Sequence, residues 1–158
     1  DTTANGGFVS AGLGARLVFL TLGVRGRMGF FEAWQLGRIG GELGFRIPLG
    51  PLEPRFDLGF GYAGLGSFDG IETETIAIDG FYARAGAGLD VYVADAVSIG
   101  GAATFDFMAL TRPGLSTTDI ADLQSSGNAT DAQASLLAAE GSGYGSTVGL
   151  MGTLGLHF

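Results

Sequence analysis

With 158 residues, the chain is long enough for one domain. It has no cysteine, which excludes a disulfide framework and a thiolate metal centre, and its net charge of −8 disfavours nucleic acid as a partner. Hydrophobic residues make up 46% and include 12 phenylalanines, so the 30 glycines do not signal disorder. Mean hydropathy is positive, yet no run reaches the ~18 apolar residues of a membrane helix without a charge interrupting it. High hydropathy without a helical span points to a chain that meets lipid through strands.

Residues 1–7 read as loop. From Phe8, alternation sets Val9, Leu13, Leu17 and Phe19 against Ser10, Gly12, Gly14 and Arg16. Successive strand side chains point to opposite faces, so this is one apolar row and one small or polar row. The parity then flips. Leu20, Leu22, Val24, Met28 and Phe30 oppose Thr21, Gly23, Arg25, Arg27 and Gly29. One strand over both stretches would far exceed the roughly 9–11 residues that span a bilayer. The flip therefore predicts a tight turn near Val18–Leu20, although Gly, Asn and Pro are absent there.

A short connection at 31–34 precedes a third strand, Gln35–Ile47, with Ile39, Leu43, Phe45 and Ile47 opposite Arg38, Gly40, Glu42, Gly44 and Arg46. Pro48, Pro51 and Pro54 mark a compact turn. Arg55–Gly66 is the fourth strand, and 67–79 is an acidic loop carrying Asp69, Glu72, Glu74 and Asp79. Phe81–Val93 and Val97–Leu110 follow, joined by a tight turn at 94–96. A long segment, 111–143, carries Asp119, Asp122, Asp131 and Glu140. It predicts a short helix over 131–140 with Thr130 as N-cap and Gly141 as stop. The last strand, Tyr144–Phe158, sets Val148, Leu150, Leu154, Leu156 and Phe158 against Thr147, Gly149, Met151, Thr153, Gly155 and His157.

Seven strands result, with connections alternating short and long. A soluble β-sandwich also alternates apolar and polar residues. Three features separate the two readings. The polar row is mostly Gly, Ala, Arg and Asp; the connections alternate in length; and the last strand runs to a terminal Phe, where soluble domains usually fray. These residues resemble the small outer-membrane β-barrel proteins of Gram-negative bacteria. The resemblance covers most of the chain and rests on the alternation, the loop asymmetry and the terminal aromatic strand. It implies an all-β fold, an antiparallel up-and-down transmembrane β-barrel in one domain over residues 1–158, and a bacterial outer-membrane location. The C-terminus would be periplasmic and the loops 31–34, 67–79 and 111–143 external. It also implies that Leu154, Leu156 and Phe158 form the signal read by the barrel-insertion machinery. Such barrels normally have an even strand count. The seven strands therefore predict an eighth, expected to precede residue 1.

Seven arginines (16, 25, 27, 38, 46, 55 and 84) lie on the polar parity, as do Glu42, Asp57, Asp90 and Asp106. They allow two readings, a charged pathway or a lumen filled by an ion-pair network. An eight-stranded barrel is only wide enough for side chains to fill, and bare buried Arg is costly, which favours the network: Arg16, Arg25, Arg27, Arg38, Glu42, Arg46, Arg55, Asp57, Arg84, Asp90 and Asp106. Gly59, Gly61 and Gly64 fit a dinucleotide fingerprint, but the alternation continues through them, so they read as small inward positions. His157 is the only His and has no Ser or acid constellation near it in sequence. The acidic loop lacks the spacing of a calcium loop. No catalytic, cofactor or metal residue is assigned. The resemblance implies a non-enzymatic structural or interaction protein of the envelope, with outer-membrane lipid and another envelope protein as partners. The alternative is a narrow channel or transporter for a small hydrophobic solute. A lipid-modifying enzyme is disfavoured, because no His, Ser and acid cluster gathers in the external loops.

Overall fold

A computed structural model describes residues 4–31, 34–66, 78–114 and 139–157, with positions 118, 121 and 125. Seven strands follow one another: β1 Gly6–Leu17, β2 Leu20–Phe31, β3 Gln35–Arg46, β4 Leu52–Gly66, β5 Ile78–Ala94, β6 Val97–Arg112 and β7 Gly141–Leu156. Each pairs antiparallel with the next, in the order β1-β2-β3-β4-β5-β6-β7. The sheet curls into a half-barrel: Arg27 on β2 lies 3.4 Å from Asp106 on β6, a contact that a flat sheet could not make.

The polarity of this sheet is inverted relative to a soluble fold. The alternating pattern predicts two unlike faces, and the curl decides which is covered. On β4, Glu53, Arg55, Asp57 and Ala63 are buried, while Leu52, Phe56, Leu58, Phe60 and Tyr62 are exposed. The same division runs through β5 and β6. Leu58 is 62% exposed and Leu150 80%, whereas Asp106 is 1% exposed. The outward aromatics fall mainly in two groups. Phe19 and Phe45, 6.3 Å apart, stand near the tight-turn end with Phe56. Phe60, Phe81 and Tyr62 cluster near the other end, as do Phe107 and Tyr144. Leu22, Val24, Ile39, Leu43 and Leu58 fill the band between.

The buried apolar cluster is small and sits at one end of the concave face. Leu36, Ala63, Tyr82 and Met108 form it, with Phe31, Trp34, Leu65 and Leu110 against them. Trp34 stacks on Phe31 at 3.8 Å and its carbonyl accepts the Phe31 N–H at 3.0 Å, closing the short connection. Gly40 and Gly61 are register partners on β3 and β4. A Cβ on Gly40 would stand 2.7 Å from the Tyr82 hydroxyl, so glycine makes room for that ring.

Most strands are longer than their alternation predicts, although β3 ends at Arg46 and not Ile47, and several of the differences have local causes. β4 begins at Leu52, not Arg55, because the Pro54 carbonyl accepts the Ile47 N–H at 3.0 Å and only the donor half of that pair is lost. The turn before it is Leu49–Leu52, with Gly50 at φ 67. Residues 78 and 79, expected in the acidic loop, belong to β5; Asp79 pairs with Thr111 and accepts a hydrogen bond from the Tyr62 hydroxyl. Gly6 and Gly7 belong to β1, and Gly141 opens β7 opposite Arg112 where a helix stop was expected. Gly64 faces outward, unlike Gly59 and Gly61, because it lies three positions beyond Gly61, an odd step that reverses the face. Asp69, Glu72, Glu74, Asp119, Asp122, Thr130, Asp131 and Phe158 lie outside the described residues, as does the expected helix up to residue 138; Ala139 and Glu140 are not helical.

The β1–β2 turn falls at Val18–Phe19, as the parity flip predicts. Val18 has φ 55, and Phe19 has negative φ. A two-residue hairpin turn with positive φ only at its first central position favours Gly there. A β-branched residue in that region is strained by about 1–2 kcal/mol, while glycine adds roughly 0.5–1 kcal/mol of chain entropy to the unfolded state. Val18→Gly is therefore expected to stabilise the fold by about 0.5–1 kcal/mol in equilibrium urea unfolding. A lower urea midpoint would contradict the strain.

Candidate functional site: the charged concave face

Alternation delivers one row of each strand to the concave face, and the curl brings rows from distant strands into contact. Near the apolar cluster, Arg38 on β3 meets Asp106 Oδ2 at 2.8 Å and Arg27 on β2 meets it at 3.4 Å. Arg84 on β5 approaches Oδ1 at 3.9 Å. Thr147 on β7 donates to Asp106 at 3.2 Å and accepts from Arg38 at 3.4 Å, and Thr104 accepts from Arg27 at 3.2 Å. Arg27 also stacks over the Phe8 ring, 4.4 Å from its centroid. Phe8 is thus an aromatic residue on the polar row, held there by a cation.

The next layer is a fork-on-fork pair. Arg25 Nε and Nη2 donate to Glu42 at 2.7 and 2.8 Å, and Arg84 lies 3.6 Å from the same carboxylate. Arg55 then joins Asp57 at 3.0 Å to Asp90 at 3.1 Å. Arg46 bridges Asp90 at 3.2 Å and Glu53 at 3.1 Å. Thr153 on β7 donates to Asp90 at 2.9 Å. At the tight-turn end Arg16 meets Glu53 at 2.6 Å, and the Tyr92 hydroxyl donates to Glu53 at 3.3 Å.

All eleven charged residues singled out on the polar parity make ion pairs with one another or with Glu53. Glu53 is the participant that the sequence reading missed. It is 2% exposed and pairs with both Arg16 and Arg46. The three prolines around it read as a turn, but Glu53 shares the parity of Arg55 and Asp57, which was the available signal. Leu154 and Leu156 stand on the outer row of β7, both exposed.

Chemically, this face is built for electrostatic packing. Ser98 and His157 Nε2 stand 2.9 Å apart, and Tyr92 lies against the imidazole at 4.9 Å. Ser98 is 2% exposed, and among the described residues no carboxylate hydrogen-bonds the ring, so the pair lacks the orienting acid of a nucleophile–base system. Among the described residues no group of three His, Cys, Asp or Glu could hold a metal ion.

Asp106 balances three guanidiniums. Removing one partner of a well-buried ion pair costs about 3–5 kcal/mol, because the remaining charge is stranded. Asp106→Ala should destabilise the fold by about that amount in urea unfolding. Tyr62→Phe, which removes an exposed hydrogen bond, should cost under about 1 kcal/mol. The reverse ranking would mean that the concave face is hydrated and its charges independent.

No protein-family model, no curated protein and no solved structure matches this chain, so likeness assigns it to no family.

Proposed function

We propose that this chain forms the barrel wall of a small non-enzymatic outer-membrane protein of the Gram-negative envelope, a structural or interaction protein. The single observation that carries the proposal is the inverted polarity of the sheet. Leu22, Val24, Ile39, Leu58, Val148 and Leu150 are each more than half exposed, while the charges are buried behind them. A contiguous apolar surface of this kind is unfavourable in water and marks a face that meets lipid or a partner. Two aromatic groups flanking an aliphatic band support lipid, as in the aromatic girdles of transmembrane barrels. Strand length agrees. Twelve residues, as in β1, β2 and β3, rise roughly 30 Å along the normal at the usual tilt of ~40°. No helix among the described residues is long and apolar enough to cross a membrane.

In this proposal the tight turns at 18–19 and 95–96 lie on the periplasmic side. The connections that follow β2, β4 and β6 face outside and form the contact surface for an envelope partner. The exposed outer row of β7, with Leu154 and Leu156, faces the insertion machinery during assembly. The alternative, a conduit for a small apolar solute, gains no support from a concave face lined by guanidiniums and carboxylates, which opposes such a solute.

Leu58 lies mid-strand on the outer row. Leu58→Arg is expected to cost roughly 2–4 kcal/mol if that position sits at the bilayer midplane. Folding into phospholipid vesicles, titrated with urea against the parent chain, measures it. A cost near zero would remove the lipid-facing assignment.

A further inference from the structure

β1 and β7 run in the same direction, because every neighbouring pair between them is antiparallel, and they do not pair with one another. Toward the tight-turn end they border a cavity of about 560 Å³ that reaches inward across the concave face. Its inner wall is formed by Arg25 on β2, Glu42 and Arg46 on β3, Arg55 on β4, Asp90 on β5 and Ser98 on β6. Glycine accounts for the space. Gly12 and Gly14 on β1, Gly23 on β2 and Gly155 on β7 line it on the inward row and send no side chain into it. A Cβ on Gly12 would stand 3.5 Å from the Arg25 guanidinium carbon. The other end of the concave face is filled. Arg27, Arg38, Arg84 and Asp106 are all buried there, next to the apolar cluster. The cavity is therefore a blind pocket.

The pocket is rich in donors and poor in acceptors. Four guanidiniums line it, Arg16, Arg25, Arg46 and Arg55, against two carboxylates, Glu42 and Asp90. Those carboxylates are occupied. Both Glu42 oxygens accept from Arg25, and the Asp90 oxygens accept from Thr153 and Arg46. The cations are not fully used, since a guanidinium carries five N–H donors. Arg25 donates through Nε and Nη2, and Arg16 meets Val18, Tyr92 and Glu53 through Nε and Nη1. Among the described residues, Arg25 Nη1 and Arg16 Nη2 make no hydrogen bond. Their side chains are also the most exposed of the paired arginines, at 21% and 33%. Ser98 and His157 add a hydroxyl and an imidazole to the wall.

Charge agrees. Across the concave face, seven guanidiniums meet five carboxylates among the described residues. The excess arises where Asp106 serves three arginines, but those groups are sealed from solvent. Their field acts on whatever enters the accessible part of the face, which is this pocket.

We infer that the pocket binds a phosphate group, held by Arg16 and Arg25 with Arg46 and Arg55 behind them. Phosphate offers several acceptor oxygens and matches the planar fork of arginine. A cation would be repelled, and an apolar solute would leave the donors unmatched. Because the pocket is blind, the group is retained and not passed through. Two sources share this chemistry. Free phosphate would enter from the tight-turn end, and a lipid headgroup would enter between β1 and β7, where Leu13 and Leu154 stand on the rims. Binding draws on the inner row and is independent of what meets the rest of the convex face.

The test uses the full chain in non-ionic detergent micelles at fixed ionic strength, because salt screens accessible charges. Calorimetric titration with inorganic phosphate should be saturable and at least about tenfold tighter than with chloride. Arg16→Gln should weaken it at least about tenfold, and Arg16→Lys less. Glu53 keeps Arg46 as its partner in both variants. Arg25→Gln combined with Glu42→Gln should weaken binding without stranding a carboxylate. Tyr62→Phe, on the outer face, should leave it unchanged. Urea midpoints establish that each variant is folded, and the phosphate–chloride comparison on the unaltered chain needs no variant. Dihexanoyl phosphatidic acid, corrected for its partition into protein-free micelles, separates the sources. Tighter binding than inorganic phosphate identifies a lipid headgroup; equal or weaker binding identifies free phosphate. Absence of saturable binding, equal affinity for phosphate and chloride, or full affinity in the folded Arg16→Gln and Arg25→Gln/Glu42→Gln variants would each overturn the assignment.

Discussion

The Asp106 carboxylate is the point on which the curvature of this sheet depends. It lies on β6 and gathers guanidiniums from β2, β3 and β5. Those groups can converge only if the sheet bends through several strands. Once it bends they are removed from water, and a charge removed from water is costly unless paired. Curvature and pairing therefore require one another. Flattening the sheet would separate the partners, and losing the partners would leave cations stranded inside the bend.

Such a network does not imply high net stability. Buried ion pairs often do no better than apolar residues of the same volume, since desolvation offsets their attraction. Their physical contribution here is register. A strand that slips by one residue turns its whole row to the opposite face. In this sheet that slip would put arginines on the apolar side and leucines among carboxylates. The threonines that bridge the charges narrow the geometry further, because Thr147 and Thr153 on the last strand each contact a single carboxylate.

The small apolar cluster and the exposed outer face fit the same logic. Burial of Leu36, Ala63, Tyr82 and Met108 is too limited to be the main apolar contribution of a chain that is nearly half hydrophobic. The larger apolar area lies on the convex face, where its contribution depends on the surrounding medium. In hydrocarbon, as proposed, that face is solvated as it stands, and the ladder satisfies the backbone groups between strands. In water the same face would favour association.

Much of the strand pattern was legible because it depends on a local rule, the alternation of side chains, and because charge was confined to one parity. The parity flip at Val18 located a turn without any turn-forming residue, since a strand without a bulge keeps each row on one face and a single strand over both stretches would be too long. Strand ends were less legible. Pro54 and Gly141 carry local signals for turn and helix termination, yet the neighbouring strand offers them partners, and ladder hydrogen bonds outweigh those signals. Glu53 was lost to the same effect. Sequence by itself determined that two unlike faces exist, that seven strands carry them, and that arginine and carboxylate share one face. Only the tertiary structure decided which charges meet, because those pairings join residues up to 79 positions apart. It also decided that Phe8 lies under a guanidinium and that β1 and β7 remain as parallel-running edges. These depend on curvature, a property of the whole sheet that no local stretch of the chain encodes.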